Sequence, residues 1–233
     1  MKIAVFSDIH GNYQALVAIL KKIGNNYDKI IFLGDAIAIG PDSKECVKTL
    51  QNDKIVFLLG NHDLYCTRGT KMDPDLSGVK LAHHNYIEKS LGEIKLIEND
   101  NLRYDFTYND ISFSFFHYFF ATNNKELYPY EHLDILRNGT YKEIYDKESS
   151  DYVFFGHNHE ETYNKINNKH YYGIGSSGCT FDDKTYFYSI YIKDKNVSVK
   201  KIKVRYNRKK FINRINNSNY PDLDRLKPIF YGL

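Results

Sequence analysis

The sequence predicts an α/β fold with a largely parallel sheet in its first third. Short β-rich runs alternate there with helical patterns, which is typical of strand–helix–strand units. Turn residues follow each run, so the carboxyl ends of these strands are expected along one sheet edge, where open α/β folds bind their ligands. The chain has 233 residues, 42% hydrophobic and 26% charged, which is typical of a globular protein and excludes the disordered and fibrous classes.

Three buried strands are predicted in this region, over residues 2–7, 29–33 and 55–59. Asn12 is available as the N-cap of a helix after the first strand. The apolar residues at helical spacing in that helix are Tyr13, Leu16, Val17, Leu20 and Ile23. After the second strand, Asp42 and Glu45 form a capping box that predicts a helix through Leu50.

The second half of the chain has a β-rich pattern. Residues 111–116 alternate at the strand period of two, and further strands are predicted over 152–155, 161–166, 169–172, 186–193 and 197–204, with a hairpin turn at 193–196. Helical spacing covers 76–91, and weaker helical patterns cover 131–136 and 142–146. No repeat or linker is visible, so we expect one domain over residues 1–205 and a basic C-terminal tail, 206–233, packed on it.

Positive charge is concentrated near the C-terminus. Residues 200–233 carry ten Lys and Arg against Asp222 and Asp224, whereas the net charge of the whole chain is +3. Such a segment suits an anionic partner such as nucleic acid, but short charge runs are more often solvated faces. Nucleic acid is therefore a partner that the sequence allows without favouring, and burial of the segment in a homo-oligomer would explain the same residues.

Apolar runs and cysteines bear on the compartment. No apolar run approaches the roughly 18 residues of a membrane span, and the apolar run after Lys2 is shorter than the about seven residues of a secretory leader. The three cysteines, Cys46, Cys66 and Cys179, form no CxxC motif. We therefore expect no membrane association and a reducing, cytoplasmic environment.

Four short polar motifs follow predicted strands, namely Asp8-Ile9-His10, Gly34-Asp35, Gly60-Asn61-His62-Asp63 and Gly156-His157-Asn158-His159. Each motif alone is weak, but all four occur in order and bring oxygen or imidazole nitrogen to the same edge. These donors suit divalent manganese, iron or zinc, and the absence of cysteine near the motifs argues against a structural zinc site. Six of these residues can act as ligands, which indicates two ions about 3.5 to 4 Å apart, an arrangement suited to hydrolysis of phosphate esters. The six are Asp8, His10, Asp35, Asn61, His157 and His159.

Together with a later histidine, these motifs resemble the ordered signature of the calcineurin-like metallophosphoesterases. The resemblance covers residues 1 to about 193 and implies a four-layer α/β/β/α sandwich with a binuclear centre between its two sheets. It implies two divalent cations, Mn²⁺ in the first place, with Fe, Ni or Zn as alternatives. One ion would be held by Asp8, His10 and His159, the other by Asn61, His157 and the further histidine, with Asp35 as the bridge.

The further histidine has to be chosen from His83, His84, His117, His132 and His170. We select His117, because it ends the alternating strand 111–116 and lies between the third and fourth motifs, as the family pattern requires.

His62 is assigned as the catalytic residue. A water that bridges two cations loses its proton near neutral pH, and the resulting hydroxide is expected to attack the phosphorus. Because the neighbouring Asn61 faces the metal, the imidazole of His62 can reach over the site as a general acid or a cationic stabiliser. Related protein phosphatases orient this histidine with an aspartate at the position that is Ala38 here, so Asp63 is the candidate replacement.

The sequence therefore predicts a metal-dependent phosphoesterase that hydrolyses a small phosphodiester, phosphomonoester or nucleotide through a metal-bridging hydroxide, with its substrate-binding residues unassigned. Two alternatives stay open: a non-catalytic interaction scaffold of the same fold, and a nuclease that uses the basic C-terminal segment. Residues 173–178 match a GxGxxG pattern, but a predicted strand rather than a helix follows them, so no dinucleotide is expected.

Overall fold

The computed structural model describes residues 1–68, 78–94, 101–117 and 148–233 of the chain. The helical patterns predicted over 131–136 and 142–146, and the candidate His132, lie outside these residues.

Ten strands and six helices occur in the described ranges. The strands are β1 (Lys2–Phe6), β2 (Lys29–Phe32), β3 (Ile55–Phe57), β4 (Arg103–Tyr108), β5 (Ile111–Phe116), β6 (Tyr152–Phe155), β7 (Glu161–Ile166), β8 (Lys169–Ile174), β9 (Lys184–Lys193) and β10 (Asn196–Arg205). The helices are α1 (Tyr13–Ile23), α2 (Ser43–Leu50), α3 (Asn61–Arg68), α4 (Gly78–Leu91), α5 (Arg208–Asn216) and α6 (Leu223–Tyr231).

The strands form two five-stranded mixed sheets. The first has the order β10-β9-β1-β2-β3, in which β1, β2 and β3 are parallel and β9 runs antiparallel to β1. The second has the order β4-β5-β6-β8-β7, in which β5, β6 and β8 are parallel. The predicted parallel arrangement of the first three strands is confirmed, and the antiparallel strands come from later in the chain.

Side-chain alternation along β1 divides the core in two. Ala4 and Phe6 point into a cluster with the helices, whereas Ile3 and Val5 point into a cluster with the second sheet. The described residues thus supply helix, sheet and sheet layers, and the predicted α/β sandwich is confirmed. Buried strands such as β1 read as continuous apolar runs because both of their faces are covered.

The two predicted N-caps differ in outcome. Asn12 caps α1, since its side-chain oxygen accepts a hydrogen bond from the backbone N–H of Ala15 at 3.1 Å. Helix α2 begins at Ser43 as expected, but the Asp42 side chain makes no capping hydrogen bond. Asp42 instead accepts hydrogen bonds from the guanidinium of Arg214, at 2.9 Å from Nε. The predicted capping box is therefore wrong, because a tertiary partner takes the carboxylate.

Residues beyond 205 fold into the first core cluster. Phe211 and Ile215 of α5 are fully covered, as is Tyr231 of α6, and the rings of Phe211 and Tyr231 lie 4.8 Å apart. The sequence pattern indicated a tail of uncertain structure, because the apolar residues of these two short helices are separated by polar ones. The edge strand β4 was also not predicted, although its residues alternate polar and apolar at the strand period of two.

Several basic residues of the C-terminal segment bind within the chain. Arg214 pairs with Asp42, Arg225 with Asp222, and Arg208 donates to the backbone carbonyl of Tyr231. Lys201 contacts Glu161 and lies over the ring of Tyr186. Asp42 and Glu161 thus offset part of the charge that the sequence concentrates here.

The longest of the described helices, α4, has 14 residues. Within the described part of the chain, no helix combines the length and hydropathy that crossing a bilayer requires.

The packing of α5 predicts that residues beyond 205 are needed for stability. Phe211→Ala removes a ring that is only 1% exposed and should lower the free energy of unfolding by about 3 to 5 kcal/mol. Phe181→Ala is the matched control, because that ring is 66% exposed and its loss should change stability by less than about 0.5 kcal/mol. Urea unfolding followed by circular dichroism measures both, and equal stability of the two variants would contradict this packing.

Candidate metal centre

The predicted donors meet where strand ends of the two sheets face each other. Asp8 and His10 follow β1, Asp35 follows β2, and Asn61 and His62 begin α3 shortly after β3. From the second sheet, His117 follows β5, and His157 and His159 follow β6. The structure therefore gathers in one place the side chains that the four motifs and the chosen histidine predicted.

The first group of donors surrounds the carboxylate of Asp8. The Nε2 atoms of His10 and His159 lie 2.9 Å apart. Asp8 Oδ1 lies 3.6 Å from His10 Nε2 and 3.3 Å from His159 Nε2. Three side chains from both sheets thus point their donor atoms at one small volume.

Asp35 lies between this group and a second one. Its Oδ2 atom is 3.6 Å from His10 Nε2 and 3.3 Å from His117 Nε2. His117 Nε2 is in turn 3.2 Å from Asn61 Oδ1, and the ring of His117 lies 5.6 Å from that of His157. The carboxylate of Asp35 is therefore in the position that a shared ligand would need.

These residues fit divalent cations. Asp8 Oδ1 is completely buried and has no hydrogen-bond partner among the described residues. An ionised carboxylate oxygen in such a position is costly unless a charge or donor approaches it. The surrounding set of carboxylate, amide and imidazole donors is one that zinc, iron and manganese accept.

The backbone at the donors is unusual. Five of them have positive φ angles, from 47° at His10 to 72° at His157, the others being Asp8, Asp35 and His159. Left-handed conformations are uncommon outside glycine and cost free energy, so such residues cluster at functional sites where the surrounding structure imposes them. In these conformations Asp8 and His10, two residues apart, both direct their side chains into the same volume.

Two motif glycines leave room for the carboxylates. A β-carbon at Gly156 would lie 2.7 Å from Asp8 Oδ2, and one at Gly60 would lie 2.7 Å from the carboxyl carbon of Asp35. Real β-carbons do not approach this closely, so any larger residue would displace a donor. The glycine that opens each tetrapeptide is thus a steric requirement of the site.

Asp63 holds the loops together rather than orienting His62. Its carboxylate accepts hydrogen bonds from the backbone N–H groups of Asp35 at 2.7 Å, Ala36 at 3.0 Å and Gly60 at 3.0 Å. Because its described hydrogen bonds go to backbone, the prediction that Asp63 replaces the missing orienting aspartate is not supported. Asp63 instead fixes the loop after β2 to the start of α3.

Ionisation in the site follows the proximity of these groups. Burial opposes ionisation of Asp35, but the nearby charge of His117 is the main factor that outweighs it and holds the pKa of Asp35 below its ordinary value. Burial likewise disfavours the charged form of His117, yet Asp35 and Asp8 raise the pKa of His117 to about 9. A cation that binds to His117 would replace its proton, so binding is coupled to proton release.

His62 stands beside the donors with a different character. Its backbone N–H donates to Asp35 Oδ1 at 2.9 Å, and its ring meets that of His10 edge-on at 5.2 Å. Burial lowers the pKa of His62 to about 4, against the opposing charge of Asp35. The ring is therefore neutral at pH 7, and a negatively charged ligand next to it would favour its protonation.

Cys179 is the site residue that the sequence analysis missed. Its sulfur lies with the donor nitrogens of His10 and His159 in a group whose atoms are all within 4.8 Å of one another. The expectation that no cysteine lies near the donors is therefore wrong, because the fold brings Cys179 to them. The turn that contains Cys179 follows β8, the strand that pairs in parallel with β6 and so ends at the same edge.

The C-terminal segment supports the loop that follows Asp35. Ala38 and Ile39 have φ angles of 70° and 62°, and for a β-branched residue such as Ile39 this conformation is strained. The backbone N–H of Ile39 donates to the hydroxyl of Tyr220 at 2.8 Å, and that of Ala38 donates to Ser43 Oγ at 3.2 Å. These hydrogen bonds hold the strained loop in place.

An open cleft of about 490 Å³ leads to the donors. Its lining includes the polar side chains of Asp35, His62 and His157. The apolar side chains of Phe181, Ile229 and Phe230, which we call the apolar wall, also line it, and the ring of Phe230 lies 5.5 Å from that of His159. Helix α6 therefore borders the cleft.

A family model described as calcineurin-like phosphoesterase matches residues 1–184, most of the chain. The chain belongs to this family. The resemblance inferred from the four motifs is thereby confirmed, and the calcineurin-like fold accounts for the two facing sheets.

Individual curated relatives are similar to this chain over short stretches only. An uncharacterized protein of Methanocaldococcus jannaschii is 45% identical over 62 residues, which are 26% of each chain. A symmetrical bis(5'-nucleosyl)-tetraphosphatase of Buchnera aphidicola is 42% identical over 62 residues, 25% of this chain and 23% of that protein. These matches span about a quarter of the relatives. A metallophosphoesterase structure from Sphaerobacter thermophilus covers 97% of this chain and 98% of its own, with a TM-score of 0.69 and 20% identity, and shows the shared fold.

The contact between Tyr220 and Ile39 predicts a loss of stability in Tyr220→Phe. The substitution removes the acceptor of a buried backbone N–H, which should cost about 1 to 3 kcal/mol in the free energy of unfolding. Tyr191→Phe is the matched control, since Tyr191 is 49% exposed and should unfold as the parent does. Denaturant titration compares the two, and an unchanged midpoint for Tyr220→Phe would show that this hydrogen bond does not hold the loop.

Proposed function

We propose that this protein is a metal-dependent phosphoesterase that hydrolyses a small phosphodiester, phosphomonoester or nucleotide with two divalent cations. The observation that carries the proposal is the convergence of carboxylate, amide and imidazole donors around the buried, unpartnered oxygen of Asp8. Membership of the calcineurin-like phosphoesterase family supports it.

Seven residues are proposed as ligands. Asp8, His10 and His159 would hold one cation, Asn61, His117 and His157 the other, and Asp35 both, since its Oδ2 atom lies between His10 and His117. When bound, two cations supply Lewis-acid stabilisation of phosphoryl oxygens and a more acidic water. The sequence favours Mn²⁺, with Fe, Ni or Zn as alternatives.

His62 is proposed as the catalytic residue at the mouth of the centre. It lines the cleft beside Asp35 and is neutral at pH 7 in the free protein. A phosphoryl group bound next to it would raise its pKa, so that the imidazolium can stabilise charge on the leaving oxygen or donate its proton there.

The cleft favours a small ester with an apolar or planar group. Ile229 is 57% exposed and Phe181 66% exposed, so both offer apolar surface to a ligand. Burial of such surface contributes to binding in proportion to its area. The nucleotide hydrolase of Buchnera aphidicola, which this chain matches over a quarter of its length, supports nucleotides as one such class.

The two alternatives are less well supported. A non-catalytic scaffold has no need for the complete set of donors that this chain retains. A nuclease that uses the basic segment is disfavoured because Arg208, Arg214 and Arg225 bind within the chain. The three cysteines are free thiols, which agrees with the proposed reducing, cytoplasmic environment, and self-association remains a prediction.

The direct test uses metal-stripped protein with bis(p-nitrophenyl) phosphate and p-nitrophenyl phosphate. Manganese, nickel, zinc or iron is added back singly, and turnover should return with at least one of them. The ratio of the two rates would distinguish diesters from monoesters. Full metal occupancy without turnover on these esters or on a nucleotide panel would favour the scaffold.

Asp35→Asn and His62→Ala should separate ligand from catalytic roles. Asp35→Asn weakens the shared ligand, so metal content and activity should fall together. His62→Ala should keep two cations per chain and lose mainly kcat, by about 10² to 10⁴-fold. Elemental analysis and steady-state kinetics measure both, and loss of metal in His62→Ala would overturn this division of roles.

The apolar wall predicts an effect of Ile229→Ala on substrate binding. Loss of its side chain should raise KM for bis(p-nitrophenyl) phosphate roughly fivefold, equivalent to about 1 kcal/mol of apolar burial. KM for methyl p-nitrophenyl phosphate, which has one aryl group fewer, should change less. Leu233→Ala is the control, because Leu233 is 40% exposed and is not among the residues that line the cleft. Equal changes for both esters would exclude the wall as an aryl subsite.

A further inference from the structure

Cys179 lies within the first group of donors. Its sulfur and the donor nitrogens of His10 and His159 all lie within 4.8 Å of one another. Cys179 also lines the open cleft next to His159, so its side chain borders both the donors and the substrate space.

The turn before Cys179 is fastened to Asp8. The hydroxyl of Ser176 and the backbone N–H of Gly178 both donate to the backbone carbonyl of Asp8, at 2.7 and 3.0 Å. The backbone N–H of Cys179 donates to the same Ser176 hydroxyl at 2.9 Å. The residue that supplies the carboxylate of the first group therefore also holds the turn that carries Cys179.

A second observation points to a ligand in this volume. Asp8 Oδ1, which lies 3.3 Å from His159 Nε2, is fully buried without a hydrogen-bond partner among the described residues. A cation held by this oxygen and the two imidazoles would lie close to the thiol of Cys179, because its sulfur groups with the same imidazole nitrogens. Thiolate and imidazole together prefer zinc or iron(II), whereas manganese prefers oxygen ligands.

We propose that Cys179 is a further ligand of the cation that Asp8, His10 and His159 hold, and that it makes this position selective for a thiophilic metal such as zinc or iron(II). The inference rests on the proposed metal centre. On binding, the S–H bond of Cys179 breaks as the sulfur–metal bond forms, and the proton goes to solvent. The second position, with Asn61, His117 and His157, contains no sulfur and keeps no such preference.

Cobalt(II) provides the test, because a thiolate ligand gives Co²⁺ an intense near-ultraviolet charge-transfer absorption that nitrogen and oxygen ligands do not. Metal-stripped full-length protein titrated with Co²⁺ should develop this band with the binding of one ion per chain. Cys179→Ser should lose the band and still bind cobalt. Cys66→Ser is the matched control and should keep it, since Cys66 is not part of any described donor group.

Zinc and manganese affinities give a second readout. Measured by chelator competition, the affinity of the first position for zinc should fall at least about tenfold in Cys179→Ser, since loss of a residue that only supports a metal ligand can already cost that much. The affinity for manganese should stay within about twofold of the parent value. A merely structural role would weaken both metals alike. X-ray absorption of the zinc-loaded parent requires no variant and should show one sulfur at about 2.3 Å.

The outcomes separate the two proposals. Cobalt bound without the charge-transfer band, or zinc without a sulfur neighbour, would overturn Cys179 as a ligand and leave the metal centre intact. Failure of the parent protein to bind any divalent ion would overturn the metal centre itself, and with it the role of Cys179.

Discussion

Burial of two carboxylates among imidazoles is the constraint on which the rest of this structure depends. Asp8 and Asp35 are almost wholly covered, and an uncompensated buried charge costs several kcal/mol. Histidine charge compensates part of that cost, as the raised pKa of His117 shows. The site is therefore built around positive charge, which a proton on His117 or a divalent cation can supply, and cation binding and folding stability are linked.

The backbone around the donors is organised to hold this arrangement. Five donor residues occupy left-handed conformations, which only a well-fixed surrounding can impose. Asp63 provides one such fixture by joining three backbone N–H groups of two loops. The Ser176 hydroxyl provides another, because it connects the turn after β8 to Asp8. Strain at the donors is thus offset by hydrogen bonds just outside them.

The part of the chain beyond the family match shapes what the site can accept. The match ends at residue 184, yet Ile229 and Phe230 form part of the cleft wall and Tyr220 supports the loop after Asp35. The donors lie within the family match, whereas part of the apolar lining of the cleft lies beyond it, in α6. Any ligand that fills this cleft would therefore also contact residues that carry no motif.

The sequence by itself determined the α/β class, the parallel β1–β3 arrangement and the residues that meet at the sheet edge. This was possible because each donor lies within a few residues of a strand end, so that its place depends on local periodicity and turn chemistry. Only the tertiary structure decided that Cys179 lies with the first group of donors. It also decided that Asp63 binds the backbone of two loops instead of orienting His62, and that the Asp42 carboxylate binds Arg214 instead of capping α2. These contacts depend on how distant segments pack, and no spacing along the chain encodes that.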